Sequence, residues 1–244
     1  MPVSIKIVHV NRFEKSGYII NAPTQLLDEA QLGYYEGEGV VSMTPSGEPF
    51  NMGNRTITPY WIEYDYKNEQ SGFVFEKNFR YFFTKYEFKA YLTSDNLFIL
   101  DVKKKIANAF LKELSKETHR GQKLFSFSQV PVDFSSIIAK SGNISGLWSK
   151  VNRSNLTTQA FFGDNVIEDD EVKIIIESNE TSFVQFSLEI QDQQYKLGIT
   201  ASGNIVLYSG STDLSPENTP EMNREIFNLK KINLVLFMYD NLLT

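Results

Sequence analysis

The sequence predicts an α+β protein, mostly antiparallel β-sheet, in two subdomains with a central basic helix and a long C-terminal helix. Three observations lead there. Runs of β-branched and aromatic residues, separated by Gly, Pro, Asn and Asp clusters, fill the first hundred positions. Period-two alternation returns between residues 158 and 209, and helical stripes occur at 106–114 and 222–236. At 244 residues, 41% hydrophobic and 14% aromatic, the chain has the means to bury a real core.

Taken in order, strands are expected at 4–10, 17–20, 39–43, 55–66, 72–75, 79–93 and 96–102, with LLDEAQL (26–32) as a short helix. Pro45, Gly47, Pro49 and Gly53 make residues 43–54 a loop. Asp101 then suits the cap of a helix whose stripe is Ile106, Phe110, Leu111 and Leu114. Lys103, Lys104, Lys105, Lys112 and Lys116 fill the rest of it, and Gly121 in ETHRGQK ends it. That break divides a β-rich N-terminal domain, 1–120, from an α+β domain, 121–244.

In the second domain, 123–130 alternates as a strand, 133–140 reads as a capped helix and 144–151 as a further short helical turn. A meander follows at 158–162, 171–177, 182–190, 195–200 and 203–209, with turns at Gln191-Asp192-Gln193 and Ser202-Gly203-Asn204. The last helix starts at Ser215-Pro216 or Thr219-Pro220, its stripe being Met222, Ile226, Leu229, Asn233 and Leu236.

Composition removes several chemistries. There is no cysteine, hence no disulfide, zinc-thiolate site or cysteine nucleophile. The two histidines, His9 and His119, lie in no nucleophile-elbow context. No apolar run reaches the roughly 18 residues that span a bilayer, and the N-terminus alternates like a strand instead of a signal-peptide core. The expectation is a cytoplasmic protein with no membrane partner and no cofactor.

Charge is unevenly placed. The net charge of −6 belongs to residues 121–244, since residues 1–120 carry 15 Lys+Arg and 15 Asp+Glu. Within the first part, residues 77–123 hold 11 basic against 5 acidic side chains, a basic island in an acidic chain. Its centre, FEKNFRYFFTKYEFKAYL (75–92), carries eight aromatic rings. Read as a strand from residue 79, its even positions meet the core. Its odd positions set Phe79, Tyr81 and Phe83 beside Lys85 and Lys89. Rings beside cations are how sheets hold single-stranded nucleic acid, and Lys103, Lys104 and Lys105 add phosphate contacts. The same pattern also fits a strand buried on both faces at one end and edging into solvent at the other.

Two other patterns carry chemistry. In GDNVIEDDEVKIII, Asp164 and Glu171 suit Mg²⁺ and Lys173 an attacking water, as in a metal-dependent nuclease with 171–177 as a strand. An acid-x-Lys triplet recurs at 65–67, 87–89 and 101–103, so the pattern has little specificity, and a solvated acidic loop explains it equally. GYYEGEG (33–39) lacks the Gly-Lys-Ser/Thr end of a phosphate loop and reads as a turn, with Glu36 and Glu38 as a bare cation option.

SGLWSKV (145–151), QAFFGDNV (159–166) and GNIVLY (203–208) together resemble a set of uncharacterised bacterial and prophage-encoded proteins. The likeness covers 123–210 and implies Gly146 and Gly163 at tight turns, Trp148, Phe161 and Leu207 in the core, and a setting of bacteria–phage conflict. It brings no catalytic residue. The reading is thus a non-enzymatic binding protein for nucleic acid or an acidic partner. A protein-interaction or self-assembly module, including a homodimer through the final helix, is the alternative, and a nuclease the second.

Overall fold

The computed structural model describes residues 3–14, 18–26, 35–70, 72–74, 77–79, 81–116, 123–153, 156–190, 192–208 and 221–243. LLDEAQL beyond Leu26, His119, Gly121, and both candidate starts of the last helix lie outside them. The class is α+β and the strand pairing is mostly antiparallel. The chain divides into two compact units, His9–Ser128 and Met1–Val8 with Gln129–Thr244. Strand β1 (Val3–Phe13) therefore gives its first half to one unit and its second half to the other. The break expected at 117–123 lies almost wholly outside the described residues.

In the unit 9–128 the strands are β2 (Tyr18–Leu26), β3 (Tyr35–Pro45), β4 (Phe50–Met52), β5 (Arg55–Asn68), β6 (Gly72–Val74), β7 (Lys77–Phe79), β8 (Phe82–Thr93), β9 (Leu97–Leu100) and β10 (Phe125–Gln129). The order is β1-β9-β8-β5-β3-β2, with β10 on β1 and β4 on β5, while β6 and β7 form a separate hairpin. The strand expected from residue 79 is thus two pieces. Phe79 pairs with Gly72 in the hairpin, and β8 begins three residues later.

Helix α1 (Lys104–Leu114) buries Ile106, Ala107, Phe110, Leu111 and Leu114, the expected stripe with one alanine added. Phe110 meets Tyr64 at 5.7 Å and Phe88 at 5.5 Å between ring centroids, both edge-on. Asp101 does not cap the helix. Its N–H bonds to the Lys89 carbonyl, which holds it at the end of the sheet, and Lys103 takes the cap position.

In the other unit the sheet runs β12 (Leu156–Phe162), β11 (Asn143–Arg153), β13 (Thr181–Ile190), β14 (Gln193–Thr200), β15 (Asn204–Leu207) and then the start of β1. Val184, Phe186 and Leu188 are buried together, as the alternation predicts. Gly203 has φ +71°, and its Cα lies where an added Cβ would come 3.3 Å from the Ile7 carbonyl oxygen, so the turn into β15 requires glycine.

Residues 144–151 are strand, not helix: β11 lies between β12 and β13, and its residues from Gly146 to Ser149 pair with both. Gly146 is consequently mid-strand and not at a turn. Trp148 is not core either, but folds over Gly146, where a Cβ would stand 2.9 Å from its ring. On β14, Gly198 plays the same part for Phe183, whose ring would meet an added Cβ at 2.3 Å. Gly198→Ala is expected to cost about 1–3 kcal/mol by overpacking. In a Phe183→Ala background most of that loss in urea-unfolding midpoint should disappear.

The segment expected as a strand at 171–177 is helix α3 (Asp170–Glu177). Three isoleucines and a valine favour a strand locally, but the start signals decide otherwise. The Asp169 carboxylate accepts from the Glu171 and Val172 amides, and Asp170 and Glu171 lie in the first turn, where the helix dipole favours anions. Val172 and Ile175, three apart, are the buried pair.

Helix α2 (Phe134–Lys140) is capped by Asp133 as expected. Helix α4 (Glu221–Met238) carries INLVLFMY as helix, but of its predicted stripe Leu236 alone is buried among the described side chains. Ile226 and Leu229 are exposed, whereas Ile232, Leu234, Val235, Leu236 and Met238 are buried. The dense apolar run of the second half sets the phase and rotates the first half outward.

Candidate functional site

The long antiparallel β5–β8 ladder, Ile57 opposite Thr93 to Asn68 opposite Phe82, presents two faces with different chemistry. On the odd face of β8 lie Phe83, Lys85, Glu87 and Lys89, and their partners on β5 are Lys67, Asp65, Glu63 and Trp61. Three acids therefore interleave with three lysines. Lys85 Nζ is 2.9 Å from Glu87 and 3.5 Å from Glu63, and the Glu87 carboxylate, with Glu63 behind it, holds that ammonium above its ordinary pKa. A phosphate reaching Lys85 has to compete with both. Tyr81 is buried, with Lys67 Nζ 4.2 Å over its ring and Phe83 edge-on at 5.9 Å. The Phe79 side chain lies outside the described residues.

The even face is graded. At its deep end Ile62 and Phe88 pair beneath Phe110. Outward come Tyr64 opposite Tyr86, Tyr66 opposite Thr84, and Asn68 opposite Phe82, the last 40% exposed. Tyr66 stands edge-on to Tyr64 and to Tyr86, each at 6.3 Å. Burial, then the Glu113 carboxylate and Tyr66, push the Tyr64 hydroxyl up to about 12. Since its unfolded counterpart ionises near 10, Tyr64 contributes stability that is full below pH 10 and is lost as pH rises toward 12. Denaturation at increasing alkaline pH should show that decline, and Tyr64→Phe should reduce it.

The start of α1 lies above this graded face. Lys105 Nζ is 5.0 Å from the centroid of Tyr66, a cation–π contact. Lys103, Lys104 and Lys105 are all exposed, and among the described residues none forms an ion pair. No side chain caps the helix and its first turn has no acidic residue, so the Lys104 and Lys105 amides have no capping acceptor, whereas that of Ile106 donates to the Lys103 carbonyl. The fold thus separates the eight residues expected together. Lys85 and Lys89 share one sheet face with Phe83, and Lys105 sits over the other with Tyr66.

The nuclease trio is likewise rearranged. Asp164 is exposed in the bend after β12, while Glu171 and Lys173 lie two residues apart on a helix, where side chains do not face each other. Lys173 pairs with Asp170 at 2.8 Å, which holds its ammonium above the ordinary pKa, and Glu171 accepts from the Gln159 amide at 3.4 Å. Among the described residues no group of three or more His, Cys, Asp or Glu is placed to hold a metal ion.

No protein-family model, curated protein or solved structure matches this chain. What the site does is therefore read from its own geometry. Among the described residues no helix is long and apolar enough to cross a membrane, which says nothing of strands.

Two groups of residues escaped the sequence reading. Tyr66 and Tyr86 were missed because the ladder register, invisible in one strand, decides which rings share a face with Lys105. Trp148, Phe162 and Phe183 form a second ring cluster, Trp148 edge-on to the others at 4.7 and 4.8 Å. Its signal was present in the sequence as Gly146 and Gly198, each inside a strand, where glycine marks a close approach.

Proposed function

We propose that the chain is a non-enzymatic binding protein that holds single-stranded nucleic acid at the start of α1. The lysine-bearing helix is its phosphate grip, and Tyr66, Tyr86 and Phe82 are its stacking surface. The observation that carries the reading is the uncapped first turn, with Lys103, Lys104 and Lys105 unpaired among the described residues and Lys105 over the Tyr66 ring. Lysines there oppose the helix dipole, a cost that an anion bound to the same amides and ammonium groups offsets. Each stacked base adds about 1–3 kcal/mol. Lys85 and Lys89 fall outside the grip, because Glu63, Asp65 and Glu87 neutralise their face.

A part in bacteria–phage conflict belongs to the same proposal and rests on the sequence resemblance alone, while a cytoplasmic location rests on a chain with no cysteine and no apolar run of membrane-spanning length. The test is fluorescence anisotropy with a labelled oligonucleotide across a salt series. Binding at low salt that weakens steeply with salt is expected. No binding at low salt overturns the reading, and a salt-sensitive preference for an acidic peptide replaces its ligand class.

A further inference from the structure

Strand β12 ends its sheet, pairing only with β11 among the described residues, and none of its seven residues is buried, exposed and half-exposed positions alternating from Thr158 to Phe162. Such an edge presents a row of backbone donors and acceptors, which proteins ordinarily guard with lysine, proline or a bulge. Residues 156–162, LTTQAFF, contain no charge and no proline. Nothing in them repels a second strand.

Three of the six exposed large hydrophobic side chains among the described residues belong to this strand or to α3 beside it. Of the large hydrophobic residues left exposed, Leu156 (42%) and Phe162 (67%) lie at the two ends of β12 and Ile174 (65%) lies on α3. Leu156 and Phe162 share one sheet face. Ile174 belongs to the other, since Glu171, one turn before it on the same side of α3, accepts from Gln159 of the strand.

We infer that β12 pairs with β12 of a second copy of this chain, antiparallel and centred on Gln159. Self-complementarity selects that occupant over a foreign strand. With Gln159 on the two-fold axis, Leu156 stands opposite Phe162 of the other copy at both ends, Thr157 opposite Phe161 and Thr158 opposite Ala160. Each exposed apolar end thus covers its counterpart, and Phe162 extends the Trp148 ring cluster toward the partner. On the opposite face the Gln159–Glu171 contacts of the two copies flank the axis. An isologous interface of this kind closes as a dimer instead of growing. Its area is small beside the roughly 1,200–2,000 Å² of stable complexes, so association rises with concentration.

The native chain has no cysteine, which makes the test clean. Opposed residues of an antiparallel pair have Cα atoms about 4.5–5.5 Å apart, within the disulfide range of about 4.4–6.8 Å. Mild oxidation of Gln159→Cys should therefore give a covalent species of twice 28.0 kDa, while Lys112→Cys on α1 stays monomeric. Sedimentation of the unsubstituted chain should shift toward the same doubled mass as concentration rises. Ala160→Lys should weaken that shift, and adding Thr158→Glu should restore it, because 158 faces 160 of the other copy. A single 28.0 kDa species up to the solubility limit overturns the inference, whether the edge is bare or takes a foreign peptide. Equal cross-linking at 159 and 112 overturns it too, and failure of the charge pair to restore association overturns the register.

Discussion

Replacing Lys103, Lys104 and Lys105 together by glutamate will weaken oligonucleotide binding severely and at the same time raise the melting temperature. The two halves of the result have one cause. Three exposed lysines occupy the cap and the first two positions of α1, whose first turn has no acidic residue and no side-chain cap. Each helix-end charge of the favoured sign is worth about 0.3–1 kcal/mol, so reversal relieves one unfavourable interaction per site and gains a favourable one. Lys105 also gives up its contact with the Tyr66 ring, a smaller loss for an exposed pair. Binding goes the other way. With three phosphate-neutralising groups removed, the slope of log affinity against log salt should fall by about two units or more on a single strand. A variant that melts higher and binds as before would place the anion elsewhere. One that melts lower would mean that these lysines hold the fold through contacts other than the dipole.

Phe110→Ala should act in the opposite sense, on stability first. The ring is fully buried, edge-on to both Tyr64 and Phe88, and joins α1 to the deep end of the β5–β8 ladder. Truncating a buried phenylalanine costs about 3–5 kcal/mol, a large share of the roughly 5–15 kcal/mol that holds a domain folded. A lowered urea midpoint with an unchanged slope is the expected outcome. The folded fraction should bind more weakly with the salt slope intact, since the lysines remain but their seat over Tyr66 is loosened. A loss below about 1 kcal/mol would mean that the cavity collapses and that Phe110 is not the anchor of the helix.

Much of the fold was legible in single residues. The runs 55–66 and 182–190, and 79–93 from Phe82 onward, read as strands because they are rich in β-branched and aromatic residues, and they are strands. The stripe of Ile106, Phe110 and Leu114 read as a helix for the same local reason. The reading failed where a weak local preference met a stronger constraint. At 171–177 the Asp169 cap outweighed four β-branched residues, and at 144–151 two flanking strands claimed a segment with little pattern of its own.

The candidate site was half legible. Its lysines at 103–105 were marked by composition alone, since a cluster of like charge is visible in one dimension. Its rings were not, because Phe79 leaves the strand for the β6–β7 hairpin and Tyr66 joins from β5. Glu63 and Asp65 are some twenty residues before Lys85 in the chain, yet the ladder sets them around it. By itself, then, the sequence determined the element types of the strongly patterned segments, the buried stripe of α1 and the chemistry it excludes through having no cysteine. Tertiary structure alone decided which charges cancel and which ring meets which cation. Those depend on strand register, and a shift of one residue moves every side chain to the other face.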